Sequence, residues 1–178
     1  MQSSDLEIRN EMPSDQEEVS AFLLNVYPTS KEMHLVEELR RHGHLPVSLV
    51  ALVDKKIVGY IAFSPMSQGP DQAPTKAAAL NPWIVDPEYR ELGIGHRLLE
   101  AGQAELRKKD FNCVFGWGDD QIYSRSGFAT AEDFEIHNSG VDHSPRFYVR
   151  QLQGGAVESL HKKLEYSPEF KALVDRPA

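Results

Sequence analysis

The sequence holds a single cysteine, Cys113, so no disulfide can form within the chain, and a reducing, cytoplasmic setting is the expectation. Long apolar runs are missing: nothing approaches the ~20 residues that a membrane span needs. Residues 1–10 are polar and lack the apolar stretch of a secretory signal. Positive charge is in deficit, with 19 Lys and Arg against 27 Asp and Glu, a formal charge of −8. That deficit argues against general binding to nucleic acid or to an anionic membrane, each of which wants a basic face. Internal repeats, low-complexity tracts and linkers are missing too. What is present is 178 residues with 40% hydrophobic side chains, enough to bury a core without metal or disulfide staples. One domain over residues 1–178 is expected.

Residues 6–9 alternate apolar and polar, a short strand pattern. Ser14 is a candidate N-cap with Glu17 three residues on, and Val19, Phe22, Leu23 and Val26 give the helix after it one apolar face. A second helix carries Met33, Leu35, Val36 and Leu39 and ends at Gly43. Residues 47–53 are almost continuously apolar, as in a strand covered on both faces. A polar turn leads to a second apolar strand, 57–63, ending before Ser64-Pro65. Residues 66–75 read as a loop, and 77–85 as a third strand with Pro82 demanding an irregularity. A helix to about residue 109 follows, then a strand at 112–117 and a short helix at 119–126 closed by Gly127. Strands are expected at 128–136 and 146–152, and the tail from 154 is ambiguous. The order is β-α-α-β-β-β-α-β-α-β-β, a mixed α/β chain with a core over 5–152 and an extension over 153–178.

Arg90-x-x-Gly93-x-Gly95 lies between a strand and a helix. Glycines let backbone approach a ligand, and the N–H groups of a first helical turn attract phosphate. Two glycines alone also fit a helix entered through a tight turn. The stretch lacks the Walker Lys-Ser/Thr and the three-glycine dinucleotide fingerprint.

Its surroundings narrow the choice. Residues 83–96, Trp-Ile-Val-Asp-Pro-Glu-Tyr-Arg-Glu-Leu-Gly-Ile-Gly-His, resemble the acyl-CoA signature of the GNAT superfamily of N-acetyltransferases. Tyr123-Ser-Arg-Ser-Gly127-Phe128 resembles that family's Tyr-x-x-x-Gly-Phe segment. Residues 61–65 and 166–170 are similar to segments of a small, mostly uncharacterised subgroup. The resemblance implies a single GNAT domain with a mostly antiparallel sheet and a splayed central strand pair. It implies acetyl-CoA as co-substrate, no metal, and transfer of acetyl to a primary amine by direct attack in a ternary complex. The main chain of Trp83, Ile84 and Val85 flanks pantetheine and acetyl in that reading. Arg90, Glu91, Leu92, Gly93, Ile94, Gly95 and His96 form the cofactor turn, with N–H groups from Glu91 to His96 cradling the pyrophosphate. Tyr123 is the general acid for the departing thiolate. The resemblance leaves homodimerisation open, and a non-catalytic acyl-CoA-binding module on the same fold is the alternative.

The remaining candidates divide between chemistry and ordinary structure. Asp119 is either a general base or the cap of the helix that holds Tyr123, and the cap is the simpler reading. Ala77-Ala78-Ala79 offers no carboxylate where many relatives place their base. Cys113, inside a strand, reads as a small core hydrophobe. Glu132, Asp133 and His137 read as a solvated strand face, and His42-x-His44 as a helix end. Trp83 either narrows the acetyl-side pocket or fills core, and core filling is the simpler reading. Gly116-Trp117-Gly118 replaces an Asn that contacts CoA in many relatives, which puts that contact in doubt. Residues 116–140 carry five acids against Arg125 alone, so a small cationic amine is the expected acceptor.

Overall fold

A computed structural model describes residues 5–68, 71, 73–138, 146–160 and 162–174. The chain divides into two compact units, one of residues up to Phe63 with Asn81–Glu105, the other of Ser64–Leu80 with residues from Leu106 onward.

In the first unit the strands follow the order β1 (Leu6–Asn10), β2 (Val47–Val53), β3 (Lys56–Gln68) and β4 (Ala73–Val85), the last two also reaching into the second unit. β2 is buried along almost its whole length, as its apolar run predicts. Asp54 and Lys55 join β2 to β3 with φ of 51° and 67°, the positive pair that a two-residue hairpin turn requires. Helices α1 (Gln16–Val26) and α2 (Lys31–Arg41) pack Val19, Phe22, Leu23 and Val36 against Val50, Leu52, Ile57, Tyr60 and Ala62. α1 does not start at a Ser14 cap. A 3-10 turn, Pro13–Asp15, precedes it, and Asp15 closes that turn by accepting the Met12 N–H at 2.7 Å. The same carboxylate takes two bonds from Arg9, at 2.6 and 3.0 Å. The forked ion pair with Arg9 fixes Asp15 at the end of the 3-10 turn, and among the described residues no side chain caps the start of α1 by a hydrogen bond.

Helix α3 (Ile94–Lys108) lies close on β3. A Cβ at Gly102 would stand 2.5 Å from Phe63 Cε2, so the ring occupies the space a side chain would need.

In the second unit the order is β3, β4, β5 (Cys113–Trp117), β8 (Phe147–Gln151), β6 (Ala129–Thr130). β4 and β5 are parallel over Ala77–Ala79 and Cys113–Phe115, and β5 and β8 are antiparallel. Helix α4 (Asp120–Arg125) follows β5. β3 does not end before Ser64-Pro65 but runs on to Gln68. Pro65 falls between the residues that pair with β2, up to Phe63, and those that pair with β9 (Lys163–Glu165), from Ser67, so its missing N–H costs no described pair there. β4 likewise begins at Ala73, which shortens the expected loop; Gly69 and Pro70 of that loop lie outside the described residues. The strand expected over 128–136 is only β6, followed by a 3-10 turn, Ala131–Phe134, and Glu135 at φ 57°. The ambiguous tail forms β9 and α5 (Pro168–Val174), and β7 (His137–Asn138) pairs with β9 in parallel.

Arg9 holds the Asp15 carboxyl below its ordinary value, chiefly through their hydrogen bonds. Asp15→Asn is expected to cost about 1–3 kcal/mol in urea denaturation near neutral pH. A lowered carboxylate stabilises above its unfolded value of about 4 and loses that contribution as pH falls through the folded one. The gap between variant and parent is therefore expected to close in acid, and a gap independent of pH would remove the ion pair as its cause.

Candidate functional site

In the first unit, β4 ends at the buried Val85 and the chain turns under three constraints. The Asp86 N–H donates to Val58 O at 2.8 Å, and the Asp86 carboxylate accepts the Glu88 N–H at 3.0 Å, capping a 3-10 turn over Pro87–Leu92. The i→i+3 bonds of such a turn engage N–H groups inside it, those of Glu91 and Leu92 among them. Gly93 then takes φ 70°, with nothing within 4 Å of the place a Cβ would occupy. Any other residue would be strained there by about 1–2 kcal/mol. α3 begins next. The Arg97 N–H donates back to Gly93 O at 3.2 Å, while the N–H groups of Ile94, Gly95 and His96 belong to the first turn and have no acceptor within the helix.

Trp83 is only partly buried, and its indole N–H donates to Gly95 O at 3.0 Å. It is more than core filling: it ties the end of β4 to the start of α3. A Cβ on Gly95 would meet Val85 Cγ2 at 3.5 Å and Trp83 Nε1 at 3.6 Å, which are ordinary contacts. Ile84 packs against the α1–α2 core. Arg90 is exposed and donates to Val85 O at 3.4 Å. Glu91, Leu92 and His96 are exposed, and His96 lies 3.5 Å from Glu100.

In the second unit, α4 carries Tyr123 into a fitted seat. The ring stacks on Tyr148 at 4.9 Å and 3°, and meets Phe128 edge-on at 5.1 Å. A Cβ on Gly116 would fall 2.4 Å from Tyr123 Cε1 and 2.6 Å from its hydroxyl, and one on Gly118 would lie 3.3 Å from Cε2. The pair of glycines that stands in place of the family's Asn therefore makes room for the tyrosine ring. Tyr148 is held in turn by its hydroxyl, which donates to Asp120 Oδ1 at 2.8 Å. Burial pushes the Tyr123 phenol well above its ordinary value, partly offset by a main-chain hydrogen bond from Trp117, so it stays protonated at neutral pH. The Gly-x-Gly spacing just before the Tyr motif is the signal in the sequence that points to this seat; the stacking partner Tyr148 has none.

Asp119 is the N-cap of α4, its Oδ1 accepting from Gln121 N–H at 2.8 Å and Ile122 N–H at 3.3 Å. Two main-chain donors on one oxygen bear out the cap reading. Cys113 is fully buried, and burial, with Glu158 adding to it, pushes its thiol up to about 12, which disqualifies it as a nucleophile near neutral pH. Glu132 and Asp133 lie in the 3-10 turn rather than on a strand, and His137 sits in β7 opposite Lys163. Among the described residues no group of three His, Cys, Asp or Glu is placed to hold a metal ion.

Gly116→Ala is expected to cost about 1–3 kcal/mol by overpacking and to disturb the tyrosine near-ultraviolet dichroism. A variant with parental stability and spectrum would show that the ring yields freely.

Residues 15–128 match the family model described as acetyltransferase (GNAT) family. The chain is 32% identical to the uncharacterised N-acetyltransferase YhbS of Escherichia coli over 165 residues, covering 92% of this chain and 97% of that one. The crystal structure of YhbS from Escherichia coli in complex with CoA superposes with a TM-score of 0.88 at 29% identity, over 94% of this chain and 93% of the other. A GNAT family acetyltransferase from Brucella melitensis in complex with acetyl-CoA gives a TM-score of 0.74 at 28% identity, over 94% and 99%. With the glycine turn and the seated tyrosine, these matches establish that the chain belongs to the GNAT family of acetyltransferases.

Proposed function

We propose that this chain moves the acetyl group of acetyl-CoA to a primary amine by direct attack in a ternary complex. The start of α3 carries the reading. Gly93 is open, and Gly95 has room for a Cβ within the protein's own packing. Glycine at 95 is thus better explained by a ligand that must come close to the backbone than by crowding. The N–H groups of Ile94, Gly95 and His96 fit an anionic pyrophosphate, and Glu91 and Leu92 contribute less because their N–H groups serve the 3-10 turn. The CoA complex of the Escherichia coli relative and the acetyl-CoA complex of the Brucella relative support the choice of donor.

The thioester supplies an activated acetyl group; the protein supplies placement and protons. A main-chain N–H among Trp83, Ile84 and Val85 holds the carbonyl oxygen as negative charge develops on it. Tyr123 gives its proton to the departing thiolate. The amine must attack unprotonated; because Asp119 is engaged as a cap, we assign its proton to water, which returns one to the Tyr123 phenolate after the thiol leaves. The acids around Tyr123 favour a small cationic acceptor.

Acetyl-CoA at 100 times its Kd is expected to stabilise the protein by about 2.7 kcal/mol, read as a rise in Tm. Gly95→Asp is expected to abolish that rise by charge conflict while keeping the apo fold, since an acid suits a first helical turn. A rise that survives in Gly95→Asp would separate the turn from the cofactor. In an acetyl-CoA consumption screen over amines, Tyr123→Phe is expected to lower kcat roughly 100-fold with little change in acetyl-CoA affinity. An unchanged rate would remove Tyr123 as the acid.

A further inference from the structure

Trp83 lies near the end of β4, and its indole N–H donates to Gly95 O at 3.0 Å. Gly95 is the second residue of α3, so helix geometry brings the Leu99 N–H to the same oxygen. A main-chain carbonyl has two lone pairs and takes both donors. The helix bond alone would satisfy that oxygen, so the indole does not serve to rescue a stranded acceptor. It is also held firmly. The ring is partly buried, and its Nε1 is 3.6 Å from the place a Gly95 Cβ would take. The strand end that carries it is fixed by the Asp86 N–H on Val58 O at 2.8 Å and by Arg90 Nε on Val85 O at 3.4 Å.

The peptide that receives the indole belongs to the first turn of α3. Its other end is the His96 N–H, which has no acceptor within the helix. The Gly95–His96 bond is trans, so its C=O and N–H point in opposite directions. A donor on Gly95 O draws electron density toward the oxygen and leaves the His96 N–H a stronger donor, as in any chain of hydrogen bonds. Indole suits the task. Its N–H only donates, so the side chain cannot turn and occupy an N–H group of the turn itself. It carries no charge, so its effect on an anion passes through the peptide.

We propose that Trp83 is a positioning residue for the cofactor: its indole N–H orients and polarises the Gly95–His96 peptide, so that the His96 N–H grips the pyrophosphate of acetyl-CoA. The inference rests on the acetyl-CoA reading and adds a side chain to a site otherwise made of main chain.

The test uses the full chain, calorimetric titration with CoA and with acetyl-CoA, and isotope-labelled protein followed by NMR through the same titrations. Trp83→Phe keeps a ring and deletes the donor. It is expected to weaken CoA and acetyl-CoA alike, roughly fivefold each, because both carry the pyrophosphate. In the variant without ligand, the His96 amide resonance is expected upfield of its parental position, because its peptide is less polarised. In the parent, where folding is not at issue, saturating CoA is expected to move the Trp83 indole proton downfield as Gly95 O becomes a better acceptor. Parental affinity for both ligands in Trp83→Phe, even with a lowered Tm, overturns the proposal. So does an indole proton that CoA leaves in place. A loss confined to acetyl-CoA overturns it too and makes Trp83 a wall of the acetyl pocket. A parent that binds no CoA defeats the donor reading, and this inference with it.

Discussion

A side chain is missing at Gly102, and the ring of Phe63 takes its place. Gly59 does the same on β3, where a Cβ would meet Leu98 Cδ1 at 3.0 Å and Ile94 Cγ2 at 3.3 Å, and the two close approaches set α3 flush on β3 and position its beginning. The Trp83 indole on the Gly95 carbonyl then fastens the first turn to the end of β4. An anion site made of main-chain N–H groups has no side chain to adjust, so the rigidity of strand, turn and helix must do the aiming. Packing deep in the first unit and ligand geometry at its surface are in this sense one constraint.

The second unit repeats the device with a different purpose. Gly116 and Gly118 clear the space, Tyr123 fills it, and Tyr148 covers the ring while its own hydroxyl is held by Asp120. Burial keeps the Tyr123 phenol protonated, which suits an acid and disqualifies a base. Cys113, from the same strand as Gly116, is silenced by the same desolvation. One environment thus keeps both groups protonated near neutral pH.

An acidic chain can bind an acidic cofactor when backbone dipoles rather than basic side chains do the holding. The formal charge of −8 therefore does not oppose CoA. Family membership fixes the class of reaction but not the acceptor, because acceptor pockets are built from elements outside the shared signature. The tail sets Tyr166 and Phe170 against Trp117, contacts that appear only once β9 and α5 are folded.

Much of the fold was legible in local pattern. Alternation at β1, the apolar run of β2, the two amphipathic helices and the glycine turn all follow from spacing and burial, which are properties of neighbours along the chain. The misreadings share a different cause. Ser64-Pro65 reads as a strand end until the gap between the residues pairing with β2 and β9 explains how β3 passes through it. Residues 128–136 read as a strand although a 3-10 turn intervenes, and Ser14 reads as a helix cap although a 3-10 turn closed by Asp15, held by Arg9, precedes the helix. The sequence by itself determined the family turn, Gly93 and Gly95, and the tyrosine motif, because each needs particular residue types at fixed spacing. Only tertiary structure decided that Trp83 is a tether, that Gly116 is a seat and that Tyr166 is buried among rings, because contact, crowding and desolvation depend on residues far apart in the chain.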